Sequence, residues 1–112
     1  MVTRLEATTV MIYFKIPYKD ITHTCVVNNR LTTLQLIDYV NVDVRNNLNI
    51  NPRYDIELVE VGKPDGELAP CVEPRNDETL LQRYHSPNLI AYYARPVHPI
   101  TREFVRRDNY VE

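Results

Sequence analysis

Four runs of β-branched and aromatic residues, split two and two by one helical stretch, fill the first 95 residues. That order limits the possible folds more than any other property of the chain. Val10 to Ile16, opened by Thr8 and Thr9 and closed by Pro17, has the composition of a pleated strand. Tyr18-Lys19-Asp20 reads as a turn, and Thr22 to Val27 as a second strand antiparallel to the first. Asn28-Asn29 ends it, since Asn tolerates turn backbone. Thr32 or Thr33 then offers a hydroxyl to cap the first turn of a helix. Leu34, Ile37, Val40, Val44 and Leu48 recur at spacings of three and four, which predicts one apolar helical face, with Asp38 and Asp43 on the other side. Asn46, Asn47 and Asn49 weaken the last turn, and Pro52 stops the helix. Tyr54 to Val61 is the third strand, ended by Gly62. The segment 63–78, with Pro64, Gly66, Pro70 and Pro74 among many charges, reads as a long surface loop. Glu78 to Tyr84 suits a single helical turn and Asn88 to Arg95 the last strand, with Pro96 and Pro99 marking the domain edge.

Laid out this way, the chain resembles the ubiquitin-like family over about residues 10–95. Val10-Met-Ile-Tyr-Phe-Lys-Ile and Thr22-His-Thr-Cys-Val-Val are similar to its opening hairpin, and Thr32-Thr33-Leu34 to the start of its helix. Tyr54-Asp-Ile-Glu-Leu-Val-Glu-Val-Gly62 looks like the strand that ends in glycine after that helix. Thr79-Leu80 followed by Tyr84 looks like the turn before the final strand. The resemblance implies an α+β fold, a ubiquitin-like β-grasp in which a ββαββ mixed sheet packs on one helix. The expected division is an N-terminal extension at 1–9, the domain at 10–96 and a C-terminal tail at 97–112. Two departures matter. The 63–78 loop is longer than the family's usual connection, and Arg95 is followed by Pro96 where family modifiers carry a glycine pair. Those modifiers need an unbranched Gly-Gly end for activation, whereas this sequence ends in Val111-Glu112 and its only glycines are Gly62 and Gly66. Covalent conjugation is therefore not expected.

Little in the sequence suggests catalysis. Cys25 beside Val26 and Val27 reads as a small core hydrophobe, and Cys71 in the loop has no neighbouring base to favour a thiolate. His23, His85 and His98 are scattered and lack the short paired spacings of a zinc site. Asp65, Glu67, Glu73, Asp77 and Glu78 lack the alternation of a calcium loop. Two glycines are too few for a phosphate loop. No cofactor or metal is expected, and the chain reads as a non-enzyme. A net charge of −2 gives no pull toward nucleic acid or anionic lipid, and no run approaches 18 apolar residues. The opening Met1-Val-Thr-Arg-Leu-Glu does not read as a secretory signal, and two cysteines are too few for a disulfide framework. The expected location is intracellular, the cytoplasm first, including a cytoskeletal or other large assembly.

What remains is binding. Strand alternation puts about half of each strand on a solvent-facing side of the sheet. The outward set expected here is Tyr13, Val59, Val61 and Tyr93, with Lys15 and Arg95 at the rim. Eight tyrosines in 112 residues fit an interaction face. In the tail, Phe104, Val105 and Tyr110 are the apolar anchors. Arg102 and Arg106, one turn apart on a helix, would face an acidic protein. The expectation is a ubiquitin-like adaptor or small structural subunit of a larger assembly, bound to protein through its sheet face and tail. The alternative is a Ras-association-type domain pairing an edge strand with a small GTPase, which would use Lys15, Lys19 and Arg30.

Overall fold

The computed structural model describes residues 8–85 and 87–112, so residues 1–7 of the expected N-terminal extension lie outside the described residues. Strand β1 (Thr9–Lys15) turns into β2 (Thr22–Asn28), antiparallel to it. Helix α1 (Thr33–Tyr39) follows, then β3 (Asp55–Glu60) and β4 (Leu89–Val97). The strands lie in the order β2-β1-β4-β3, with β1 and β4 parallel and both outer pairs antiparallel. The α+β architecture expected from the sequence is thus the one formed. Alternation drives it: Val10, Ile12 and Phe14 of β1 with Ile16 just beyond it, Ile56 and Leu58 of β3, and Ile90, Tyr92 and Ala94 of β4 are buried on one face. The helix covers that face with Leu36, Val40, Val44 and Leu48.

The helical face differs in detail from the periodic reading. Leu36 is buried, while Leu34 and Ile37 are only half-buried. From Leu36 the core positions recur every four residues, and α1 runs on as a π-helical segment (Val40–Val44) and a final turn (Arg45–Asn47). In a plain α-helix a stride of four drifts by about 40°, so Leu48 would stand about 120° from Leu36. The wider π turn absorbs the drift and keeps all four on the core. Capping boxes open α1 (Thr32 with Gln35) and the short helix Leu80–Tyr84 (Thr79 with Gln82). The two starts are joined: Thr32 bridges Thr79, and the Leu80 and Leu81 amides donate to the carbonyls of Leu31 and Asn29. The Thr33 hydroxyl, buried, accepts from the Arg75 amide at 2.8 Å, which fixes the end of the 63–78 loop.

Strand β4 continues through Pro96 to Val97, two residues past the expected boundary. Proline is tolerated because its nitrogen faces the side that β1 has already vacated; the last β1 partner on β4 is Tyr93. The chain then turns at His98–Glu103, Val97 bridges Phe104, and the Val105 amide donates to the Pro96 carbonyl. Val105 is buried in the core, and the Tyr18 hydroxyl donates to its carbonyl at 2.8 Å. Tyr110 packs against Tyr18 and Tyr54. The stretch 97–112 therefore lies on the domain. Arg102 has φ +63° and no helix spans 102–106, so the expected one-turn pairing of Arg102 and Arg106 does not form.

Candidate protein-docking face

The face of the sheet turned away from α1 is built of rows set by strand register. At one end Val26, Met11 and Leu89 are direct partners across β2, β1 and β4. The next row is Thr24, Tyr13 and Ala91, extended by Val61, whose amide donates to the Ala91 carbonyl. Then come Thr22, Lys15, Tyr93 and Val59. Arg95 with Glu57, and Val97 with Asp55, complete the face. Tyr13, Lys15, Val59, Tyr93 and Arg95 therefore lie on the side that alternation assigned to them.

The far end of this face is roofed. Val59 is 0 % exposed and Arg95 is buried, which corrects the expectation that both are open to solvent. The cause is the 63–78 loop, which folds back as a 3-10 turn (Gly66–Leu68) over β4. The Arg95 guanidinium donates to the carbonyls of Glu67 and Ala69 (3.1 and 2.9 Å) and pairs with Glu57 at 3.2 Å. Phe104 of the tail stacks on Tyr18 and receives the Arg95 cation over its ring at 5.6 Å. Val59, Ala69 and Val97 are buried yet stand apart from the main core, so this roof closes a small second core. Arg102 brackets it by pairing with Asp55 and Glu57. A buried cation needs such a cage, because unpaired charge is costly in a poorly solvated site.

The near end is open. Val26 is 60 % exposed, Leu89 58 %, Met11 46 % and Val61 45 %, with Tyr13 and Ala91 half-buried between them. Four large apolar side chains contiguous across the strands form the kind of patch that marks an interaction site. Beside it runs a shallow cleft of about 400 Å³ lined by Glu60, Val61, Lys63, Tyr84 and Leu89. Two of its lining residues, Glu60 and Tyr84, belong to a polar network. Arg83 pairs with Glu60 at 3.2 Å and Glu78 at 3.1 Å, and the hydroxyls of Tyr84 and Tyr92 are 2.7 Å apart. Burial pushes the Tyr84 hydroxyl up to about 12. Burial would also raise the Glu60 carboxyl, but hydrogen bonds from Tyr84 and Arg83 hold it below its ordinary value. The network holds Glu60 and Tyr84 in place at the wall of the cleft.

Of the expected binding residues, Tyr13, Lys15, Val61 and Tyr93 belong to the accessible part of the face. Val59, Arg95, Arg102 and Phe104 belong to the roof and its bracket. Tyr110 is held inside the domain by its ring contacts, and its hydroxyl accepts from the Asn51 amide. Arg106 is exposed beside the tail and apart from the open end. The leading members of the open patch, Met11, Val26 and Leu89, were not in the expected set. Parity alone points to Met11 with Tyr13 and to Leu89 with Tyr93; Val26 requires the hairpin register. Cys25 is half-buried, with burial raising its thiol, and Cys71 is exposed; both are free. Among the described residues no group of three or more His, Cys, Asp or Glu side chains is placed to hold a metal ion, and no helix is long and apolar enough to cross a membrane. No protein-family model matches the chain, and no curated protein matches its sequence.

Proposed function

We propose that the chain is a non-enzymatic β-grasp module of ubiquitin-like type that docks a folded protein partner on the open end of its outer sheet face. The strand order β2-β1-β4-β3 with a parallel central pair supports the β-grasp assignment. The observation that carries the binding reading is the unbroken exposed row Val26–Met11–Leu89 with Val61 beside it. An adaptor or small subunit of a larger assembly would use such a face, with Tyr13 and Tyr93 supplying contact area at low entropic cost. The tail's part in this reading is to brace the sheet, with Arg106 one of its exposed charges.

The test compares partner capture by the wild-type chain with capture by a Met11→Asp, Leu89→Asp double variant and by Arg106→Ala. Recovery lost in the first and kept in the second supports the face. Equal recovery by all three chains, with the double variant still folded by circular dichroism, rejects it. A second reading, a Ras-association-type domain gripping a small GTPase, draws support from the open edge of β2. It is weakened because Lys19 is engaged with Glu112 at 2.6 Å and lies over the Tyr110 ring. Chemical-shift titration with nucleotide-loaded small GTPases separates the two.

A further inference from the structure

The two edges of the sheet are treated differently. At the β3 edge, the Asn41 side chain, projected by the π-helical segment, acts as a surrogate strand. Its carbonyl accepts from the Ile56 amide at 2.9 Å, and its amide donates to the Ile56 carbonyl at 3.0 Å. Next along that edge the Val72 amide donates to the Leu58 carbonyl at 2.7 Å. Among the described residues the β2 edge has no such cover. Asn29 donates to the Thr8 carbonyl and Ile16 to the Ile21 carbonyl, so the odd residues of β2 turn their backbone groups toward β1. The even ones turn outward: Thr22, Thr24 and Val26 present amides and carbonyls that find no backbone partner among the described residues. Proteins usually guard such an edge with lysine, proline, a bulge or a very short strand. Thr22-His-Thr-Cys-Val-Val-Asn28 has seven residues in regular register and none of those guards.

We infer that the β2 edge pairs with the β2 edge of a second copy of this chain, antiparallel about a twofold axis at Cys25. Among the registers that keep the outward residues facing each other, this centring pairs all four even residues of the strand, Thr24 with Val26 of the other copy and Thr22 with its Asn28. The Asn28 carbonyl also accepts from the Leu31 amide; centring on Thr24 leaves Asn28 out. Charge argues for the same partner and the same register. The strand carries no Lys, Arg, Asp or Glu, so nothing repels an identical strand laid against it. Two residues beyond each end stand Asp20 and Arg30, both exposed and in no ion pair among the described residues. Antiparallel self-pairing about Cys25 sets Asp20 of each copy against Arg30 of the other. An isologous contact of this kind closes on itself and stops at two copies. The two four-stranded sheets become one, with both helices on one side. The Val26–Met11–Leu89 rows then meet on the other side as a single doubled apolar surface. The pairing does not depend on the docking role proposed for that surface.

The twofold gives a direct chemical readout. Cys25 faces Cys25 as a non-hydrogen-bonded pair, for which Cα atoms are about 4.5 Å apart, inside the range a disulfide spans. The full chain carrying Cys71→Ser is treated with diamide, which takes up the two protons and two electrons released as the disulfide forms. A covalent dimer lost under denaturant, together with a doubled mass in concentration-dependent light scattering, is the expected result. A wild-type chain that stays monomeric at every concentration and gives no Cys25 cross-link overturns the inference. Asp20→Lys sets two lysines against two arginines and should at least halve the dimer fraction at fixed concentration. Adding Arg30→Asp should restore it, and a double variant as monomeric as the single one overturns the register. Thr24→Pro removes an outward donor without taking a bond from the β1 ladder and should abolish pairing. Should that variant unfold, the charge swap decides. Cross-linking that yields ladders beyond two copies also rejects the closed pairing.

Discussion

At one end of the outer sheet face Val26, Met11, Leu89 and Val61 meet solvent; at the other Val59 and Val97 are sealed. Strand β4 runs through both ends, flanked by β1 and β2 at the first and by β3 at the second, and the same alternation turns these residues outward. The difference comes from what the chain does between and after its strands. The 63–78 loop and the 97–112 stretch both return to the Arg95 end, where two carbonyls, a carboxylate and an aromatic ring converge on one guanidinium. Nothing returns to the Met11 end among the described residues. A strand's pattern thus sets which side a residue faces, and its connections set whether that side is surface or core.

Substitutions at the two ends should therefore separate stability from binding. The largest effect is expected from Val59→Asp, which drives a carboxylate into a fully sealed site; urea denaturation should show a loss of about 4 kcal/mol or more. A loss under about 1 kcal/mol would mean that the roof opens readily. Arg95→Ala should follow, with about 3 kcal/mol lost, because the Glu67 and Ala69 carbonyls lose their donor and Glu57 keeps only the longer pairing to Arg102 at 3.5 Å. Phe104→Ala, truncating a half-buried ring, should cost about 2 kcal/mol and raise amide exchange at Glu67 and Ala69. A smaller effect belongs to Glu60 in the lining of the open cleft. The folded protein holds the Glu60 carboxyl below its ordinary value, so acid is bound more readily by the unfolded chain. Stability should be intact above the ordinary glutamate range near about 4.3 and fall as pH drops through it and below, less steeply in Glu60→Gln. The smallest effect is expected at the open end: Met11→Thr and Leu89→Thr should stay within about 0.5 kcal/mol of wild type while weakening partner recovery. A large stability loss there would place those side chains in a hidden contact and erase the contrast.

Much of this architecture was legible in the sequence, because alternation and helical spacing act over a few residues. The element order and a threonine cap at Thr32 or Thr33 follow from local rules, and alternation narrows the outward residues of each strand to two sets, one of them holding Val59. What was not legible depends on long-range return. Nothing near Val59 in sequence says that Ala69 and Phe104 will cover its neighbourhood. Arg95 looks like a rim charge until the loop carbonyls come to meet it. Pro96 reads as a strand end, since its tolerance in β4 depends on where β1 stops. Leu34 and Ile37 fit a helical face on paper, but Leu36 fits the four-residue stride that the π segment permits.

That stride carries one residue more than an α-helix needs. With one residue removed between Val40 and Val44, the core positions would fall at spacings of four, three and four. Those eleven residues return within about 20° of the starting direction in an α-helix. Val42, exposed within the segment, is the spare. A chain lacking Val42 alone should thus keep the same core and gain a regular helix, so this element can change length by one without losing the fold. Asn41, which precedes the gap, would have to find the β3 edge from a narrower turn. Helix length at this point is therefore tied to how the sheet's far edge is guarded, and only indirectly to the core.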